Sequence, residues 1–95
     1  MTDEMMRFQT YLQSKFESAV VNLTTFPSGK ATIDVVVNNL LLTFEYAPKE
    51  GFAVSKIEKD EDAWDPQKCV TFGRDEFNKA KDCFLSLMEG GQLPT

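Results

Sequence analysis

Histidine is absent from this 95-residue chain, and with it the commonest general base near neutral pH and the commonest metal ligand. Cysteine is scarce: Cys69 and Cys83 match neither a CxxC nor a paired zinc-ligand spacing. Small domains that depend on disulfides carry more cysteines, so two reduced, partly buried thiols are expected, with one disulfide as the alternative. No apolar run approaches the ~18 residues of a membrane span. The start, Met1-Thr2-Asp3-Glu4, is acidic where a secretory leader would be basic. Basic residues are in deficit, ten against fifteen acids, so the formal net charge is −5. That sign disfavours a nucleic-acid backbone or an anionic membrane as a direct partner. No GxGxxG, phosphate-loop or GxSxG string occurs. A single cytoplasmic domain spanning 1–95, without a cofactor and without enzyme activity, is the resulting expectation.

What is present is an ordinary globular balance, 42% apolar and 26% charged, with eight Phe, two Tyr and one Trp. Residues 2–20 read as a helix. Thr2 is suited to cap it, Asp3 and Glu4 suit its positive end, and Met5, Phe8, Leu12, Phe16 and Ala19 share one face. Lys15 falls inside that stripe, so its stem should pack while its ammonium reaches water.

From Val20 the period changes to two. Val21, Leu23 and Thr25 alternate with Asn22, Thr24 and Phe26, and Pro27-Ser28-Gly29-Lys30 signals a turn. A second strand runs over 31–37, and Asn38-Asn39 is a tight link whose residues tolerate positive φ. A third strand runs over 40–47, Pro48-Lys49-Glu50-Gly51 makes the next turn, and a weaker fourth strand covers 52–58. Such short connections force an antiparallel meander. Asp65-Pro66 suits a turn, and Cys69 to Phe72 suits a short fifth strand.

A last helix is read from Arg74, with Gly73 as cap, Phe72 and Phe77 as a staple, and Phe77, Ala80, Phe84, Leu87 and Met88 on its buried face. Gly90-Gly91 ends it, and residues 90–95 read as a frayed tail. The predicted fold class is α+β: a two-layer sandwich of helix, four- or five-stranded antiparallel meander, and helix. Both helices should cover the heavy sheet face (Ile33, Val35, Leu40, Leu42, Phe44). The mixed face (Asp34, Val36, Thr43, Glu45) should see water.

The most distinctive stretch is Glu58-Lys59-Asp60-Glu61-Asp62-Ala63-Trp64-Asp65, which holds five acids, one base and the only tryptophan. Charge concentrated in this way creates a local field, and an aromatic anchor beside a charged rim is common at protein interfaces. Glu58, Asp60, Glu61, Asp62, Trp64 and Asp65 are therefore the candidate partner-binding residues, for a basic protein surface. The alternative is a solvated loop whose Trp64 closes one end of the core. A calcium loop counted from Asp60 would put Trp64, Asp65 and Thr71 where an oxygen ligand, Gly and Glu are needed, so that pattern fails.

The expected function is thus a small acidic, non-enzymatic interaction module: an adaptor, inhibitor or regulator. A nucleic-acid-mimicking inhibitor of a DNA- or RNA-binding protein is the first alternative, and a weak metal- or ligand-binding domain the second. Monomer and homodimer both stay open. An apolar arc on the last helix, together with Val36, Leu41 and Phe26 on the mixed face, favours self-association. Lys30 and Lys56 would blunt strand edges if they faced solvent.

Overall fold

Met5, Phe8 and Leu12 are all buried on one side of the first helix, α1 (Thr2–Lys15). The computed structural model in which they are seen describes residues 2–37, 40–58 and 69–90. The helix ends five residues before the boundary expected at Val20. The Phe16 N–H still reaches the Leu12 carbonyl, but the chain then turns, and the Ala19 N–H bonds back to the Phe16 carbonyl. The apolar phase of Phe16, Ala19 and Val20 continues the helical stripe, which is what extended the reading. The β-branched pair Val20-Val21 instead starts a strand, where branched side chains fit well.

Five strands follow: β1 (Val20–Thr25), β2 (Ala31–Val37), β3 (Leu40–Ala47), β4 (Gly51–Glu58) and β5 (Cys69–Phe72). They pair in sequence order as one antiparallel meander. The last helix, α2, is Phe77–Met88. The architecture is the expected α+β arrangement. α1 packs over β1 and β2, and α2 over β3, β4 and β5. The expected Asn38-Asn39 link, the Asp65-Pro66 turn and the tail from 91 lie outside the described residues.

Both helices cover one sheet face. Ala31, Ile33, Val35, Leu42, Phe44, Phe52 and Val54 meet Met5, Phe8 and Leu12 from α1 and Ala80, Phe84 and Leu87 from α2 in one buried cluster. Leu40, expected on that heavy face, is only half-buried because it lies at the end of its strand. Phe44 sits at the centre, with ring centroids at 5.0 Å from Phe8, 5.6 Å from Phe52 and 5.7 Å from Phe84. Lys15 behaves as expected: its ammonium lies 3.3 Å from the Tyr11 hydroxyl and 3.2 Å from Glu89 Oε1.

The start of α2 differs from the reading. It begins at Phe77 rather than Arg74, with Glu76 as the cap residue. The Glu76 carboxylate accepts the Gly73 N–H at 2.7 Å and pairs with Lys79 at 3.0 Å. The Glu76 N–H in turn donates to the Gly73 carbonyl at 3.0 Å, so Gly73 closes a turn just before the helix, whose regular residues start only at Phe77. Phe77 joins the core rings of Phe8, Phe44 and Phe52, and Phe72 also packs against the core.

The Gly73 N–H first, then Lys79, lower the Glu76 pKa below the ordinary glutamate value. A depressed folded-state pKa adds stability that is fully present above the unfolded value and lost as pH falls through the folded one. Glu76→Gln should therefore be less stable than the parent at neutral pH. The gap should close in acid, as denaturation midpoints measured across the acid range will register.

Candidate interaction surface

Of the six residues expected to bind a partner, Glu58 is the last residue of β4, where its backbone pairs with Leu40. Asp60, Glu61, Asp62, Trp64 and Asp65 lie outside the described residues. The ends of their segment are nevertheless located. β5 pairs with β4 only as far as Ser55↔Cys69, so the last residues of β4 run beyond it. Glu58 thus ends β4 at the end of the sheet that also holds the end of β2, the start of β3 and the start of β1.

The cross-strand register brings particular residues together at that same end. On the face away from the helices, Val20 pairs with Val36, Val36 with Leu41, and Leu41 with Ile57. This is an apolar row crossing four strands. Val20 is 57% exposed, and the other three are half-buried. The next row is polar: Asn22, Asp34, Thr43, Ser55 and Cys69. Within it the Thr43 hydroxyl donates to Asp34 Oδ1 at 3.4 Å. Sequence alternation alone finds Val36 and Leu41. It does not reveal that Val20 and Ile57 complete the row, because that depends on strand register rather than on any one strand's pattern.

Three acids elsewhere are paired with lysines. Lys30 pairs with Glu45 at 3.1 Å, Lys79 with Glu76 at 3.0 Å and Lys15 with Glu89 at 3.2 Å. Such exposed pairs add little stability, but each cancels a source of negative potential. In the stretch 58–65, by contrast, the sequence supplies only Lys59 against five acids.

Neither thiol is activated by its surroundings. Burial first, and then the Glu45 charge, push the Cys69 pKa up; burial alone raises that of Cys83. A raised pKa suppresses the thiolate, which is the reactive form. Both cysteines are free. Among the described residues, no three His, Cys, Asp or Glu side chains converge to hold a metal ion, and no helix is long and apolar enough to cross a membrane.

A groove of about 490 Å³ runs between α1 and α2, with Phe8, Phe77 and Leu85 among its lining residues. Arg7 and Lys81 line it together with Glu4 and Asp82, so it selects neither sign of charge. Compared with known proteins, the chain matches no family model, no curated protein and no solved structure.

Proposed function

We propose that the chain is a non-enzymatic protein-interaction module that docks on a basic partner surface through residues 58–65. The observation that carries this reading is a juxtaposition. Glu58, the first residue of the acidic, Trp-bearing stretch, ends β4 at the sheet end where Val20, Val36, Leu41 and Ile57 form an apolar row. An apolar patch beside a charged rim is the usual anatomy of a protein-binding surface. The sequence supports the same reading, since five of its fifteen acids fall within 58–65 against one base, and the remaining ten acids face nine bases. The raised thiol pKa values and the missing histidine weigh against catalysis.

The test is titration with a lysine- and arginine-rich peptide. Trp64 is the only tryptophan, so its emission reports on the segment alone. Binding should saturate and weaken steeply with salt. Amide shifts should cluster on 58–65 and on Val20, Val36, Leu41 and Ile57. The triple variant Asp60→Asn, Glu61→Gln, Asp62→Asn should bind roughly tenfold more weakly or worse, because an exposed charge pair is worth up to about 1 kcal/mol and about 1.4 kcal/mol is tenfold. Undiminished binding by that variant, or shifts centred on Asp75 and Asp82, would overturn the reading.

A further inference from the structure

We infer that the outer edge of β1 is a self-pairing surface, joining two copies of the chain into one continuous sheet. Among the described residues, β1 is an edge strand with β2 as its only neighbour. Its sequence, Val-Val-Asn-Leu-Thr-Thr, carries no charge, glycine or proline. Natural edge strands are usually blunted by such features, and an unblunted one is a template for another strand. Neither lysine that the sequence offered as a guard lies on β1. Lys30 sits in the turn, engaged with Glu45 and 5.8 Å from the centre of the Phe26 ring, while Lys56 lies on the interior strand β4.

The available edge can be bounded residue by residue. The Phe26 N–H bonds to the Lys30 carbonyl across the hairpin. Backbone groups in an antiparallel ladder alternate in direction. Asn22 and Thr24, in phase with Phe26, therefore bond towards β2, while Val21, Leu23 and Thr25 present their N–H and C=O groups outwards. At one end, the Ala19 carbonyl is already taken by Gln13 Nε2 at 3.1 Å and its N–H by Phe16. At the other end Pro27 has no N–H to offer. Leu23 is the midpoint of what remains.

A two-fold axis through Leu23 keeps the helices of both copies on one face. It pairs Leu23 with its own counterpart and Val21 with Thr25 of the second copy, and on the open face it sets Asn22 opposite Thr24 and Val20 opposite Phe26. Val20 and Phe26 are 57% and 43% exposed, two of the large hydrophobic side chains that the single chain leaves uncovered. The contact is isologous, and because β1 is uncharged it meets no like-charge repulsion despite the net −5.

Strand pairing alone falls short of the roughly 800 Å² per partner that a specific interface needs, and α1 supplies more. It lies over β1 and β2, and strands are about 4.8 Å apart. The two α1 helices therefore come alongside each other within the about 8–10 Å at which helices pack. Helical spacing puts Met6, Gln9 and Gln13 on the flank away from the groove residues Arg7 and Tyr11. That flank is uncharged, and Met6 is 52% exposed. Val20 belongs both to this surface and to the apolar row of the proposed docking surface, but the inference rests on the edge of β1 and its test does not depend on the proposed function.

Sedimentation equilibrium of the full chain, carried into the millimolar range, should give twice the 10.8 kDa chain mass. The double variant Asn22→Lys, Thr24→Lys sets lysine against lysine at both ends of the contact and should be monomeric. Asn22→Lys, Thr24→Glu sets opposite charges together in this register and should dimerise at least as well as the parent. Both substituted positions are exposed, and circular dichroism checks that each variant folds. Hydrogen exchange on the unmodified protein is a second readout: the amides of Val21, Leu23 and Thr25 should gain protection as concentration rises. A parent that stays monomeric throughout, a lysine variant that still dimerises, or edge amides that exchange equally fast at all concentrations would each overturn the inference.

Discussion

Phe44→Ala is expected to lower stability by about 3–5 kcal/mol, the range for truncating a large aromatic in a close-packed core. Phe44 is fully buried on β3, at the point where both helices meet the sheet. Its ring is edge-on to Phe8 of α1 and to Phe84 of α2, and tilted against Phe52 of β4. Alanine would remove those ring contacts together and leave a void walled by three other elements, α1, α2 and β4. None of these can close it without losing register elsewhere, so little relaxation is expected and the upper half of the range is favoured. A domain of this size is stable by about 5–15 kcal/mol, so the loss is a large share of the total. A urea denaturation series measures it. An unchanged midpoint would mean that β3 turns the opposite face to the helices.

Gly51→Ala is expected to cost about 2–4 kcal/mol, combining a left-handed backbone penalty with overpacking. Gly51 opens β4 at φ +103°. A Cβ there would sit 2.3 Å from the Phe72 carbonyl oxygen, 2.8 Å from the Gly73 carbonyl carbon and 2.9 Å from the Arg74 nitrogen. These are backbone atoms, which cannot swing aside as a flexible side chain could. The strand end would have to move away from β5, disturbing the approach to α2. Gly90→Ala is the control. Its φ is +92°, but a Cβ would meet nothing within 4 Å, so only the backbone penalty of about 1–2 kcal/mol remains. The difference between the two midpoints isolates the steric part. Equal losses at both positions would contradict the close approach of the Phe72–Arg74 backbone to Gly51.

The strands were legible because each carries its own signal. The period changes to two at Val20, and turn residues fall at Pro27 to Lys30 and at Pro48 to Gly51. Helix ends were less legible, because they depend on groups that lie outside the apolar pattern. Nothing in the phase of Phe16 and Ala19 indicates that α1 stops at Lys15. Glu76 three residues after Gly73 has the spacing of a capping box, and its carboxylate does reach back to Gly73, but that spacing does not reveal that the regular helix begins only at Phe77. The apolar row of Val20, Val36, Leu41 and Ile57 was legible only in part, since its members come from four strands. The uncharged composition of β1 was on view in the sequence. Its place at the edge of the sheet became known only with strand order. The acidic stretch was conspicuous as composition, because clustered charge needs no fold to be seen.

Affinity capture from the source cells tests the proposed function most directly, with the intact chain run beside the Asp60→Asn, Glu61→Gln, Asp62→Asn variant and beside Trp64→Ala. The intact chain is expected to retain a protein with a basic surface, and both variants, folded by circular dichroism, are expected to lose it. The same proteins retained on all three baits would contradict a docking surface centred on residues 58–65.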